Sequence, residues 1–315
     1  MKGLSHITTF LIGPFLLSEP AWADSRVPQI TLASWTWPLE IVIPLFLFGV
    51  LYIIGFYKLR RISRSAQPQL SQAFWFGTGW LSLLIALDSP LHELSEQLFW
   101  VHMTQHEILM IVSAPLLVMS RPLVPLLWSL PRRWRIQTGH FGKTRVSKTI
   151  WLALSAPACA WLLHAVSLWI WHLPVLFDAT LTNDLVHASQ HISFLGTALL
   201  FWWALIHGHG GRLSYGGAVL YVFTTALHMS LLSALLTFSP RAWYAPYVLT
   251  APTWHLTALQ DQQLGGLIMW VPAGTVLLIV TLVLFKKWLE DSDRRWEYTR
   301  TANALRTSAL NTDGK

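Results

Sequence analysis

Apolar segments long enough to cross a bilayer recur along almost the whole chain, and this feature restricts the fold more than any other. A transmembrane helix needs about 20 consecutive, mainly apolar residues. We predict seven such segments, near residues 38–57, 70–87, 97–118, 150–172, 185–206, 216–238 and 263–285. Only 12% of the 315 residues are charged, which is about half the share in a soluble domain. The sequence therefore predicts an all-α, polytopic membrane bundle of about seven transmembrane helices.

Positive charge is concentrated in one set of loops. All but three of the 22 Lys and Arg residues follow the first, third, fifth or seventh predicted segment. The exceptions are Lys2, Arg26 and Arg241. By the positive-inside rule these loops are cytoplasmic, so the mature N-terminus is outside and the C-terminus is cytoplasmic. The net charge of +7 is thus a topology signal that suits an anionic bilayer, and it does not require nucleic acid as a partner.

The two ends of the chain differ from the apolar middle. Residues 1–23 have the pattern of a cleaved signal peptide, in which an apolar stretch leads to Ala21-Trp-Ala23. An uncleaved anchor is the alternative, but Pro14 interrupts the apolar stretch. We predict a transmembrane domain over 24–287 and a cytoplasmic polar tail over 288–315, with a short helix followed by disorder.

Histidines are the polar residues that stand out in the predicted spans. His102 and His106 lie in the third span, and His187 and His191 lie in the fifth. A separation of four residues places both rings of a pair on one helix face. At a rise of about 1.5 Å per residue, His228 of the sixth span is at a similar depth. Ionisable residues inside a membrane indicate a functional site; the alternative is that each imidazole only bonds to a neighbouring helix.

A weak internal repeat surrounds the two histidine pairs. Asp88-Ser-Pro90 precedes the first pair, and His172-Leu-Pro174 precedes the second pair at nearly the same distance. Both units leave and re-enter the membrane in the same sense, as in a parallel repeat. If this is not chance similarity, the two pairs face each other, with Asp88 and His172 in equivalent positions.

This pattern predicts a metal site. The predicted ligands are His102, His106, His187, His191, His228, His172 and Asp88. Imidazole with a nearby thioether suits copper, and imidazole alone also suits zinc or iron. Met110 follows His106 by four residues and lies on the same face. Two histidines on separate helices could instead be axial ligands of haem, but few glycines lie near them to admit the macrocycle, which favours copper. The single cysteine, Cys159, excludes a cysteine-rich site.

Asp261 lies where an outer loop enters the seventh span. It could complete the site, form a hydrogen bond with a ligating imidazole, or cap the N-terminus of a helix. Gly265 and Gly266 follow it, and small residues allow close contact between helices in a membrane.

These residues occur in the order and topology of a known family, and the chain resembles the CtaG-like membrane proteins connected with assembly of haem–copper cytochrome c oxidase. The matching pieces are Leu87-Asp-Ser-Pro90, His102-Met-Thr-Gln-His106, Ala114-Pro-Leu-Leu117, His172-Leu-Pro174, His187-x-x-x-His191 and Asp261-Gln-Gln-Leu-Gly-Gly-Leu-Ile-Met-Trp270. The resemblance extends from about residue 38 to 285. It implies seven spans and a role in maturing the oxidase, with an oxidase subunit as partner.

Three functions are compatible with the pattern. The first is a non-enzymatic assembly factor in the bacterial inner membrane that binds copper from the periplasmic side and helps to form the copper centre of the oxidase, with a periplasmic copper donor as a further partner. The second is a transporter for copper or protons, which would need polar residues through to the cytoplasmic face. The third is a haem-binding membrane redox protein. The sequence contains no Ser-His-Asp, nucleotide or phosphate motif that would indicate a conventional enzyme.

Overall fold

The structure is a computed structural model that describes residues 35, 37–62, 69–208 and 213–312. The predicted signal peptide and residues 209–212 lie outside these residues. Within them the chain is helical and contains no strand. The α-helices are α1 (Leu39–Ile62), α2 (Leu70–Asp88), α3 (Pro90–Gln97), α4 (Phe99–Glu107), α5 (Ala114–Ser120), α6 (Leu123–Ser129), α7 (Arg132–Lys143), α8 (Arg145–Leu154), α9 (Pro157–Trp171), α10 (Pro174–Thr180), α11 (Asp184–His207), α12 (Tyr215–Thr237), α13 (Tyr247–Thr250) and α14 (Ala258–Thr312).

The predicted bundle of membrane-spanning helices is confirmed. Six helices of the described chain are long and apolar enough to cross a membrane, and α8 with α9 makes a seventh if this bent pair is one span. The two helices meet at 62°. The break falls at Pro157, which starts α9, because proline lacks the N–H that would continue the helical hydrogen bonds.

The outer surface of the bundle is strongly apolar. Leu185 and Ile192 on α11 are 79% and 72% exposed, although both are large hydrophobic residues within a predicted span. Soluble proteins rarely leave wide apolar patches in water. The exposed faces of the spans therefore fit contact with lipid, and the chain is a multi-pass membrane protein.

The third span, Phe99–Ser120, lies at the centre of the bundle. Of its apolar stretch, 61% is buried inside the protein, against 44% or less in the other five single helices. It consists of α4, a π-helical segment over Ile108–Ser113 and α5. π-Helical turns inside α-helices occur frequently at functional sites, and this one begins two residues after His106.

The two units that carry the histidine pairs are built alike. In each unit a span ends, a short helix begins with proline, and a second span follows, as in α2–α3–α4 and α9–α10–α11. Asp88 ends α2 and His172 caps the end of α9, so the two residues occupy equivalent places. The loops at this end contact each other through Tyr247 Oη, which donates to the Ser95 carbonyl oxygen at 2.8 Å. We call the end formed by residues 88–98, 172–183 and 238–257 the histidine end.

The last helix packs closely on two spans. A Cβ atom at Gly265 would overlap the ring of Phe99 on α4, and one at Gly266 would meet the backbone of α12. The close helix contact predicted for this glycine pair is confirmed. The helix continues as α14 to Thr312, so the helix in the polar tail is longer than the sequence predicted and follows the span without a break.

We predict that Gly266→Ala destabilises the bundle. The new Cβ would lie 2.9 Å from the Thr237 amide nitrogen and 3.0 Å from the Ser233 carbonyl oxygen, and backbone atoms cannot rotate away. Overpacking of this kind costs about 1–3 kcal/mol, measured as a lower midpoint of unfolding in detergent. Gly274→Ala, on the same helix with no atom nearer than 3.9 Å, is the control. Equal midpoints for both variants would contradict the close approach.

Candidate metal centre

The two helices that carry the histidine pairs both begin with a side-chain cap. On α11 the side-chain oxygen of Asn183 accepts from the amides of Leu185 and Val186 at 3.0 and 3.2 Å. The N-cap residue of α4, Leu98, has no such side chain. Instead the carboxylate of Asp261 accepts from the amides of Phe99 at 2.7 Å and Trp100 at 3.0 Å.

The caps place the two pairs in the same register. His102 follows the N-cap Leu98 by four residues, and His187 follows the N-cap Asn183 by four residues. The second histidine of each pair follows one turn later. Because the N-cap marks where each helix starts, both pairs lie at the same distance along their own helix.

The four imidazoles form one cluster. Within each pair the ring centroids are 4.4 Å apart. Between helices, His102 stacks on His187 at 5.4 Å, and His106 meets His191 at 5.5 Å. All four residues are buried. The structure therefore brings together the two pairs that the sequence singled out, and they face each other.

Several ring nitrogens in this cluster have no hydrogen-bond partner among the described residues. They are Nδ1 of His102, both ring nitrogens of His106, and Nε2 of His187 and His191; Nε2 of the neighbouring His172 also has none. Buried polar atoms in native proteins are nearly always paired, and exceptions point to water, an ion or a functional role. Neutral imidazole nitrogen is a ligand for zinc, copper, iron and nickel, so the donor set fits a transition-metal ion.

His172 lies beside the four imidazoles, whereas Asp88, a predicted ligand, lies near His92. Nδ1 of His172 donates to the Leu168 carbonyl oxygen at 2.7 Å, which leaves the Nε2 lone pair free. The ring lies close enough to His102 and His106 to interact with them electrostatically. Asp88 is buried and interacts in the same way with His92.

Two predicted residues have other surroundings. His228 packs edge-on against Trp161 at 5.5 Å and lies near His164, on the α9 and α12 side of the bundle. Met110 lies in the π-helical segment and the apolar core, where its carbonyl oxygen accepts from Trp202 Nε1 at 2.9 Å. His228 does not lie beside the four imidazoles, although its predicted depth is similar to theirs, because depth does not fix the direction in which a side chain points.

The structure adds His92 to the cluster, a residue absent from the predicted ligands. Its ring is 5.4 Å from that of His187 and 6.4 Å from that of His191. The glutamine of each His-x-x-Gln-His motif holds a histidine, since Gln105 Nε2 lies 3.1 Å from His92 Nδ1 and Gln190 Oε1 lies 3.3 Å from His102 Nε2. The sequence signal that could have identified His92 is Pro90, because proline at the first helical position predicts a helix there that would carry His92.

Asp261 has a capping role, but it caps another helix and not its own. Its neighbour Gln262 fixes the preceding loop, accepting from the Trp243 amide at 2.6 Å and donating to the Leu236 carbonyl oxygen at 3.1 Å. The Asp261–Gly266 segment therefore fixes the last helix to the third and sixth spans.

Comparison with known proteins gives one family and several distant relatives. A family model described as cytochrome c oxidase caa3 assembly factor matches residues 50–291. Uncharacterized proteins of Mycobacterium bovis and Mycobacterium tuberculosis are each 30% identical over 257 residues, which cover 78% of this chain and 37% of the relative. One from Mycobacterium leprae is 26% identical over 85% of this chain and 41% of its own length. The chain thus spans about two fifths of these relatives. No solved structure gave a significant match.

We predict that Asp261→Ala destabilises the protein by about 1–3 kcal/mol, since hydrogen bonds to a charged group contribute about that much. The buried amide of Phe99 and the half-buried amide of Trp100 would lose their acceptor. Asp261→Asn keeps one acceptor oxygen and should lose less. The measurement is the unfolding midpoint in detergent. An unchanged midpoint for Asp261→Ala together with lost metal binding would instead identify Asp261 as a ligand.

Proposed function

The chain belongs to the cytochrome c oxidase caa3 assembly factor family, and from this premise we propose that it is a non-catalytic factor that handles copper during maturation of a haem–copper oxidase. Copper is the cargo of the protein, and His102, His106, His187 and His191 hold it, with His172 beside them. Since most Lys and Arg residues lie towards the other end of the bundle, the histidine end faces outward from the bacterial inner membrane. A periplasmic copper donor and an oxidase subunit are the partners on that side.

The observation that carries this proposal is the convergence of unpartnered imidazole nitrogens. Five of the six pairs among these four rings from two helices have centroids 4.4 to 6.4 Å apart. Burial of polar groups without partners is unfavourable by about 1–3 kcal/mol for each group in proteins. A bound ion would remove this penalty by using the lone pairs. Among the divalent first-row ions, Cu²⁺ binds to an imidazole site with the highest affinity.

The same geometry favours an ion over haem. Two axial histidines lie on opposite faces of a haem with the iron between them. Here the His102 and His187 rings are nearly parallel, at 17°, and their centroids are only 5.4 Å apart. A macrocycle between these helices would have to separate them.

The region below the cluster favours a factor that binds copper over one that transports it. Towards the other end of the bundle, Phe194, Ala198 and Phe201 of α11 pack in the apolar core with Met110 and Ala114 of the third span. A path for ions through a membrane protein is normally lined by polar or ionisable residues. Glu107 and His164 are the buried carboxyl and imidazole groups in this region of the described chain, and the packing around them is mainly apolar. This layer therefore supports a site open to one side only.

We predict that purified full-length protein binds copper near stoichiometrically and that His106→Ala and His191→Ala abolish this binding. His228→Ala is the matched control, because His228 is also an intramembrane histidine but packs against Trp161 outside the cluster. Its copper content should equal that of the unaltered protein. Copper is measured by elemental analysis after reducing and oxidising treatment. Unchanged copper in His106→Ala would contradict the proposal, and a Soret band lost in that variant would favour haem.

In cells, we expect loss of this protein to lower the copper content and activity of the oxidase. A gene carrying His106→Ala should fail to restore them, and a gene carrying His228→Ala should succeed. The measurement is oxidase activity per oxidase subunit in membranes, with the amount of each variant checked by immunoblot. Restoration by His106→Ala would separate the oxidase role from the imidazole cluster.

A further inference from the structure

A second group of metal-ligating side chains lies at the histidine end, above the four buried imidazoles. His92 and Glu96 on α3 and His187 on α11 each offer one ligand atom, and these atoms lie within 4.8 Å of one another. His92 and Glu96 are four residues apart, so they share one face of α3. His187 is buried, His92 is half-buried and Glu96 is exposed, so the group extends from the cluster to the surface.

The short helix α3 is held in place by contacts from several directions. Ser89 caps its start by accepting from the Leu91 amide at 3.2 Å, and Pro90 occupies the first turn. At its other end, Trp254 Nε1 donates to Gln97 Oε1 at 3.0 Å. The Tyr247 hydroxyl donates a hydrogen bond to the Ser95 carbonyl oxygen near the end of the same helix. The contacts of Tyr247 and Trp254 come from far along the chain, and together with the local cap they fix the position of the helix that carries His92 and Glu96.

The orientation of His92 is also fixed. Gln105 Nε2 lies 3.1 Å from Nδ1 of His92 and donates to the Ala86 carbonyl oxygen at 2.6 Å. The His92 ring stacks on His187 with an interplanar angle of 17°. Because an amide nitrogen can only donate, Nδ1 of His92 accepts this hydrogen bond in the neutral ring, and His92 binds an ion only when this hydrogen bond breaks. Glu96, which is exposed, can rotate to bring its carboxylate to the two rings.

The donor set differs in charge from the buried cluster. Two imidazoles and one carboxylate are three protein ligands of the kind that hold Zn²⁺ with a fourth position open, and carboxylate favours a divalent over a monovalent ion. Metal–ligand distances of about 2.0–2.2 Å require the three ligand atoms to come closer together than 4.8 Å. The exposed side chain of Glu96 can make this movement.

We propose that His92, Glu96 and His187 form a separate loading site for a divalent transition-metal ion of the Cu²⁺ and Zn²⁺ class. Because His187 belongs to both groups, an ion at the surface is one imidazole away from the buried cluster. Both sites need this ring, so they are not filled at the same time. An ion occupies the surface site first and the buried cluster afterwards. The existence of the loading site does not depend on the proposed function, whereas its role in supplying the buried cluster does.

The test uses Co²⁺ as a spectroscopic probe on purified full-length protein in detergent, with Zn²⁺ as competitor. The unaltered protein should show visible absorption bands of four-coordinate Co²⁺ that Zn²⁺ removes. Glu96→Gln and His92→Ala should weaken Co²⁺ binding at least tenfold. Glu93→Gln is the matched control, since Glu93 is a carboxylate on the same helix outside the three-residue group, and its affinity should be unchanged.

A second pair of variants separates this site from the buried cluster. His106→Ala should keep the Co²⁺ bands, and Glu96→Gln should keep the copper that His106→Ala loses. His187→Ala should lose both. Equal Co²⁺ affinity for Glu96→Gln and Glu93→Gln would overturn the loading site, as would loss of the bands in His106→Ala. Neither of those results would affect the copper measurement, so failure of the loading site and failure of the proposed function remain distinguishable.

Discussion

The carboxylate of Asp261 joins the last helix to the start of the third span, and the position of the histidines depends on this contact. It accepts from the amides of Phe99 and Trp100, the first two residues of the helix that carries His102 and His106. The first amides of a helix have no partner within the helix, and Phe99 and Asp261 are both buried inside the protein, away from water. A side chain from elsewhere must therefore supply the acceptor, and the glycines after Asp261 let α14 come close enough.

The consequence is a pair of matched helices with their imidazoles facing each other. Asn183 caps α11 locally, whereas Asp261 caps α4 from 162 residues away. In both helices the first histidine follows the N-cap by four residues. The arrangement concentrates nitrogen lone pairs in an otherwise apolar bundle. Such a concentration is unfavourable without a ligand, which is why we connect it with copper and not with packing.

Much of this arrangement could be predicted from the sequence, because periodicity and length are physical signals. The apolar segments predicted the spans, and the spacing of four predicted that each histidine pair shares a helix face. The rotation of a helix about its own axis was less predictable. The sequence predicts His228 at a depth similar to that of His191, yet His228 faces Trp161, since neighbouring helices and not depth decide which way a face points. The π-helical turn at Ile108–Ser113 is another effect of packing that spacing could not reveal, and it contains Met110. Asp261 was expected to cap or to orient a ligand, but its partner on a different helix could come only from the fold.

X-ray absorption at the copper edge of the purified, copper-loaded protein tests most directly whether imidazoles from both helices hold one ion. The account predicts nitrogen neighbours at about 2.0 Å, as in other imidazole–metal bonds, with outer-shell scattering from several imidazole rings and no sulfur. A sulfur neighbour at about 2.3 Å, or outer-shell scattering that fits only one imidazole ring, would contradict it.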